Sequence, residues 1–214
     1  KGLEKNISLM SSVSSKETLL NKLKFSSSDL EKLSIFVKSV IEENKHHNLI
    51  SRSSEKDVWI RHVLDSAQLV DFIDFSGNNS IADLGSGAGF PGIVLAIFNK
   101  DPLFHVKLYE KSPVKCDFLN KVIKKLKINA EVMNNNCLDH KISSKYLVSR
   151  AFKKLPEIIR ISREIAEKPH TLIVLKGKNA QEEINKASKQ MIYRYKMVNS
   201  ITEKESKIII VNVN

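Results

Sequence analysis

The chain has 214 residues, 42% of them hydrophobic and 28% charged, a balance that suits a folded protein with a sizeable core and excludes a disordered one. Lys and Arg outnumber Asp and Glu by 35 to 24, a net charge of +11. The excess is uneven: residues 1–79 carry 11 of each sign and residues 80–214 carry 24 against 13, which fits a polyanionic partner whose phosphates release counterions on contact.

The apolar run Phe90 to Phe98 is far short of the roughly 20 residues a membrane span needs. The opening KGLEKNISLMSSVSSKETLL has neither a sustained apolar core nor a small-residue cleavage site, so it does not read as a secretory signal. Cys116 and Cys137 form no CxxC pair and read as reduced thiols. The expectation is a cytoplasmic protein with no membrane partner.

In chain order, Glu17 to Phe25 is a short amphipathic segment. Ser26 to Asp29 then offers helix caps before LEKLSIFVKSVIEENKHHN, whose Leu30, Leu33, Phe36, Val37, Val40 and Ile41 recur at helical spacing. A third helix is predicted over Glu55 to Phe75, with Val58, Trp59, His62, Val63, Leu69 and Val70 inward. Ser76 to Asn79 ends this helical lead-in, giving a division at 1–79 and 80–214.

From Ser80 the rhythm alternates. Strands are predicted at 80–84, 104–110, 130–134, 146–150 and 170–176, with helices at 91–98, 113–127, 155–167 and 179–189 between them. Two last strand-like runs, 192–198 and 207–213, suit an antiparallel hairpin at one edge. Alternating β and α segments imply a mostly parallel sheet covered on both faces, an α/β fold.

The most regular stretch is IADLGSGAGFPGIVLAIF, Ile81 to Phe98. Its glycines read two ways: Gly87 to Gly92 as GxGxxG of a dinucleotide fold, and Gly85 to Gly89 as GxGxG of an S-adenosylmethionine enzyme. Gly85, Gly87 and Gly89 let a backbone approach a ligand with φ > 0. Asp83 can meet an ammonium, and Glu110 at the tip of the second strand can accept both hydroxyls of a ribose. Three features favour S-adenosylmethionine: the aspartate two residues before the first glycine would repel a pyrophosphate, the closing strand pair makes a five-plus-two sheet, and no segment reads as a separate dehydrogenase substrate domain. An NAD-dependent oxidoreductase and a non-catalytic RNA-binding relative are the alternatives.

With its flanking segments the glycine loop resembles one family. Asn48-Leu49-Ile50, Arg61-His62-Val63-Leu64-Asp65-Ser66, DLGSGAGFPG, Ser149-Arg150-Ala151-Phe152 and Leu175-Lys176-Gly177 stand in the order of the bacterial 16S ribosomal RNA guanine-N7 methyltransferases, also called glucose-inhibited division protein B. The resemblance spans residues about 45 to 180. It implies a class I methyltransferase fold, Rossmann-like with a seven-stranded sheet, behind a helical N-terminal region. It further implies S-adenosylmethionine as cofactor and, as substrate, a guanine of the 530 loop in the small ribosomal subunit. Carried over by motif, Gly85 and Phe90 bind the cofactor from the loop, Arg150 joins them after the fourth strand, and the adenine contact falls on Cys137-Leu138. An acidic residue is usual at the second of these places, so Leu138 departs from the pattern.

Guanine N7 carries a lone pair and no proton, so its methylation requires no general base; alignment and exclusion of water are the protein's tasks. No Asn/Asp-Pro-Pro-aromatic loop follows the fourth strand, and neither cysteine sits in a Pro-Cys setting. No catalytic side chain is therefore assigned. Arg61 and His62 are candidates to touch RNA, with Asp65 and Ser66 bracing the cofactor loop; the competing reading is a helix-docking network with Arg61–Asp65 as a local pair. Asn48 and Lys176 are further RNA candidates, together with Lys111, Lys115, Lys153, Lys154 and Lys178 after strand ends. Lys121, Lys124 and Lys125 read as a solvated helix face. His46, His47 and His62 lack companion ligands, so no metal is expected.

Overall fold

A computed structural model describes residues 2–190 and 194–213. Strands β1 (Ser80–Leu84), β2 (His105–Glu110), β3 (Ala130–Asn134), β4 (Tyr146–Arg150), β5 (His170–Lys176), β6 (Arg194–Asn199) and β7 (Lys207–Val213) form one sheet in the order β3-β2-β1-β4-β5-β7-β6. β1 to β5 run parallel; β7 enters antiparallel between β5 and β6. The predicted closing hairpin is present, with its second strand on the inside. Ile192 and Tyr193 of the predicted run lie outside the described residues.

The period-2 alternation of the strands sorts their side chains onto two cores. Ile81, Val106, Leu108, Val148, Ile173 and Leu175 face one side; Ala82, Leu84, Tyr109, Leu147, Leu172 and Val174 face the other. Helices α6 (Leu155–Ile165) and α7 (Ala180–Gln190) pack on the second side through Ile158, Ile159, Ile161 and Ile184. On the first side, α4 (Gly92–Phe98) and α5 (Pro113–Leu126) share one continuous core with the lead-in helices α1 (Gly2–Asn21) and α2 (Ser27–Asn44).

α2 begins where expected, because Ser26 and Asp29 form a reciprocal capping box: Asp29 N–H donates to Ser26 Oγ at 3.1 Å and Ser26 N–H to Asp29 Oδ2 at 2.9 Å. Leu33, Phe36, Val37 and Val40 carry its buried stripe. It stops at Asn44 rather than Asn48, because the Asn44 side chain turns inward and its Oδ1 accepts from the N–H groups of Leu49 and Ile50 at 2.8 and 2.9 Å.

Other boundaries shift for local reasons. The segment expected at 17–25 is the end of the longer α1, which stops at Asn21 before Lys24 takes a left-handed φ of 61°. Phe104 precedes β2 and packs with Phe75 instead. α6 ends at Ile165 because Ala166 becomes extended and Ile142 bridges there, accepting from Glu167 N–H. The largest correction concerns the third helix. It is a composite: a 3-10 turn at Arg52–Ser54, then a π-helical stretch Trp59–Leu64, a short α turn α3 (Asp65–Ala67) and a 3-10 run Gln68–Phe72. π stretches are rare and cluster at functional sites.

Among the described residues no helix is long and apolar enough to cross a membrane.

Candidate functional site

A cavity of about 430 Å³ opens at the carboxyl edge of the sheet, where β1, β2 and β4 end. The chain order reverses between β1 and β4, and parallel sheets place ligands at such a switch. The volume lies in the range of cofactor pockets.

Its first wall is backbone. Gly85, Gly87 and Gly89 have φ of 73°, 57° and 95°, as expected from their spacing. At Gly85 the need is twofold, because a Cβ there would also strike the Phe152 ring. The N–H groups of Gly85 and Ser86 both donate to the Tyr109 carbonyl at 3.0 Å, stitching the loop to the end of β2. The Glu110 carboxylate is held between two amides: Oε2 accepts from Gly87 N–H at 2.9 Å and Oε1 from Ser112 N–H at 2.8 Å. Each oxygen keeps a further lone pair for a ligand.

Asp83 lies behind this wall, fully buried and outside the cavity lining. Its Oδ2 accepts from Gly92 N–H at 2.9 Å, and Oδ1 has no hydrogen-bond partner. Burial pushes its pKa up to about 7, opposed by the Gly92 hydrogen bond and by Arg150. A buried acceptor left unpaired is unfavourable by roughly 1–3 kcal/mol, so the site suits a cationic donor or a bound water. Gly92 must be glycine here, since a Cβ would fall 2.6 Å from Asp83 Oδ2.

The second wall is made of side chains. Arg150, at the end of β4, donates through Nη1 to the Arg61 carbonyl at 2.9 Å and through Nη2 to His62 Nδ1 at 2.6 Å. Its guanidinium carbon sits 5.3 Å from the Phe90 ring centre, and the His62 ring lies 5.1 Å from that same ring. Because a guanidinium only donates, His62 Nδ1 is the acceptor and Nε2 carries the proton, which it gives to Ser54 Oγ at 2.9 Å. Burial, then the charges of Arg150 and Arg61, push the His62 pKa down to about 3. His62 is therefore a neutral imidazole with both nitrogens engaged, and it cannot take a proton from a substrate.

Several predicted residues thus meet in the cavity: Gly85, Gly87, Phe90, Glu110, Cys137, Arg150 and His62 line it, with Lys111 and Lys115 at its rim. Others do not. Gly89 turns toward Ile93 and Leu119. Leu138 points outward, 45% exposed, and its N–H is used by Asn136 Oδ1 at 3.2 Å. Asn48 is exposed, while its neighbours Leu49 and Ile50 form the lining. Arg61 reaches away to Glu203 at 3.9 Å. The sequence-expected Arg61–Asp65 pair is replaced by an Arg150–Asp65 pair, also at 3.9 Å. Ser66 is buried and donates to the His62 carbonyl at 2.6 Å. Lys176 braces the fold, pairing with Glu183 at 2.9 Å and donating to the Lys153 carbonyl.

Ser54, Asn135 and Asn136 join the site without having stood out in the sequence, and the Phe152 ring covers Gly85. Asn136 carried a signal, an Asx residue immediately before a short turn, where its side chain accepts the N–H of Leu138 two residues on. Burial raises the pKa of both Cys116 and Cys137, so neither thiol is poised as a nucleophile. Among the described residues no cluster could hold a metal ion.

A family model described as rRNA small subunit methyltransferase G matches residues 29–210. A ribosomal RNA small subunit methyltransferase G of Pelagibacter ubique is 37% identical over 180 residues, covering 82% of this chain and 84% of that one. Its counterpart in Rickettsia felis is 39% identical over 180 residues, covering 84% and 91%. Among solved structures, a SAM-dependent O-methyltransferase of Thermotoga maritima superposes with a TM-score of 0.55 at 16% identity, covering 70% of this chain and 65% of that one. That likeness shows the fold, a class I methyltransferase sheet with its reversed seventh strand. With the matched length and these identities, the chain belongs to the rRNA small subunit methyltransferase G family.

Proposed function

We propose that the chain transfers a methyl group from S-adenosylmethionine to N7 of a guanine in the 530 loop of 16S rRNA. The observation that carries the cofactor is Glu110, fixed by two backbone amides at the tip of β2 with both oxygens still able to accept. That is the placement a ribose diol needs. Asp83 Oδ1, unpaired behind the glycine wall, suits the ammonium of the amino-acid end through a bridging water. Arg150 is the cation on the pocket wall for its carboxylate, and Asn135, Asn136 and Cys137 border the space left for adenine. Bound S-adenosylmethionine would supply an electrophilic methyl on a sulfonium.

The protein's own part is then positioning. His62, the imidazole in the lining, has both nitrogens occupied, which supports an acceptor that has no proton to lose. Guanine N7 is such an acceptor. Lys111 and Lys115 at the rim, with Lys153, Lys154 and Lys178 on the same edge, suit RNA phosphates and match the cationic 80–214 half. The lead-in, residues 1–79, acts as a helical region covering one face of the methyltransferase domain. A small-subunit rRNA substrate supports a cytoplasmic reaction.

Tritium transfer from labelled S-adenosylmethionine to 30S subunits and to naked 16S rRNA, followed by mapping of the labelled nucleotide, tests the reading. Label on a guanine N7 in the 530 loop is expected. Label elsewhere, or none while NAD binds in calorimetry, overturns it.

A further inference from the structure

The reversed β7 brings the β6–β7 turn, residues 200–206, back to the carboxyl edge where the pocket lies. Arg150 of β4 pairs in register with Leu175, Leu175 with Ile208, and Ile208 with Val198 of β6. The turn therefore stands two strands away from Arg150 at the same height on the sheet. It is sewn to the composite helix: Gln68 Oε1 accepts from Ile201 N–H at 3.0 Å, and Gln68 Nε2 donates to Ser200 Oγ at 2.9 Å.

These bonds converge on Asp65. Its Oδ1 accepts from Gln68 Nε2 at 3.0 Å, Thr202 Oγ1 at 3.0 Å and Ser200 Oγ at 3.3 Å. Three donors on one oxygen leave Oδ2 to face Arg150 Nη1 at 3.9 Å. Arg150 in turn holds His62 and the Arg61 carbonyl. We propose that Thr202 is a positioning residue: through Asp65 it sets the orientation of Arg150, so that the β6–β7 turn supports the pocket wall without touching a ligand.

Removing the Thr202 hydroxyl leaves Oδ1 only Gln68 and the longer Ser200 contact, so the carboxylate is held less firmly against Arg150. Burial raises the Asp65 pKa, while Arg150, Thr202 and Ser200 lower it. The charged groups facing it are Arg150 from β4 and Glu203 from the turn itself. Thr202→Ser keeps the donor and Thr202→Val removes it at nearly constant volume.

The role of the wall in cofactor binding rests on the function proposed above; the coupling itself is read in the free protein. Nitrogen-15 spectra of the His62 ring in ligand-free protein should show a protonated Nε2 and a hydrogen-bonded Nδ1. In Thr202→Val the Nδ1 resonance should move toward that of an unbonded acceptor, and in Thr202→Ser it should return. In parallel the Kd for S-adenosylmethionine should rise about tenfold in Thr202→Val with kcat at saturation within about twofold, a factor of ten being 1.4 kcal/mol. Ser200→Ala should shift both readouts the same way by less, and it serves if Thr202→Val does not fold. An unchanged His62 spectrum in folded Thr202→Val, or in Ser200→Ala where Thr202→Val does not fold, overturns the coupling. A wild-type protein that binds no S-adenosylmethionine overturns the function instead, leaving the spectra to judge the coupling alone.

Discussion

The two walls of the pocket are built differently. The glycine wall is held by main-chain amides over a short stretch of chain, from Gly85 to Ser112. The arginine wall is held by side chains brought from far apart, with Arg150 on His62, and Asp65 on Thr202 of the closing turn. The first depends on what a backbone can do without Cβ. The second depends on charge and protonation. They should therefore fail under different insults.

The glycine wall should break most completely by one methyl group. Gly85→Ala puts a Cβ against the Phe152 ring at a φ of 73°, a backbone region unfavourable by about 1–2 kcal/mol for an L-residue. Relief requires moving the ring off the wall. S-adenosylmethionine affinity should fall roughly 100-fold by calorimetry, while the circular dichroism of the sheet is kept.

Protonation separates the walls by the sign of their pH dependence. An unfolded imidazole takes a proton near pH 6.5, but folded His62 refuses it until about pH 3. Unfolding therefore takes up a proton in that window, and stability is lost as pH falls through it. Asp83 does the reverse. Unfolded, it releases its proton near pH 4; folded, it keeps it to about pH 7, so stability is lost as pH rises between them. From pH 5 to 7.5 each contributes about 2 kcal/mol, and the two contributions oppose each other. Asp83→Asn should leave a midpoint that rises with pH, and His62→Gln one that falls. A flat profile in both variants would refute the opposition.

A smaller effect is expected at Glu110. In Glu110→Gln one oxygen becomes an amide donor and must face an N–H group, either Gly87 or Ser112. Loss of one hydrogen bond and of a charged acceptor should raise the Kd for S-adenosylmethionine about tenfold. S-adenosylhomocysteine, which carries the same ribose, should weaken equally.

The difference between the walls also explains what the sequence disclosed. Five strands, β1, β3, β4, β5 and β7, stand at their predicted bounds, because period-2 apolar runs are a local signal and turns punctuate them. The glycine loop and Glu110 were legible for the same reason: both lie at strand ends. The composite helix was not, since a π stretch keeps helical spacing in the sequence while turning residues by a different angle. That rotation puts His62 beside Arg150 and leaves Arg61 pointing away. Nothing near Asp65 in the chain announces Thr202, 137 residues later. Family resemblance marked RHVLDS as important without telling which of its atoms matter.

Arg61 separates the atom from the residue with the smallest expected change. Its side chain is 46% exposed and reaches Glu203 at 3.9 Å, a pair worth little in solvent. What Arg150 uses is the Arg61 carbonyl, which every residue has. Arg61→Ala should therefore leave S-adenosylmethionine affinity within about twofold. If the guanidinium meets an RNA phosphate, the same variant should reduce the slope of log affinity for 16S rRNA against log salt by roughly one. A large loss of cofactor affinity in Arg61→Ala would mean that the side chain, and not the backbone beneath it, holds the arginine wall.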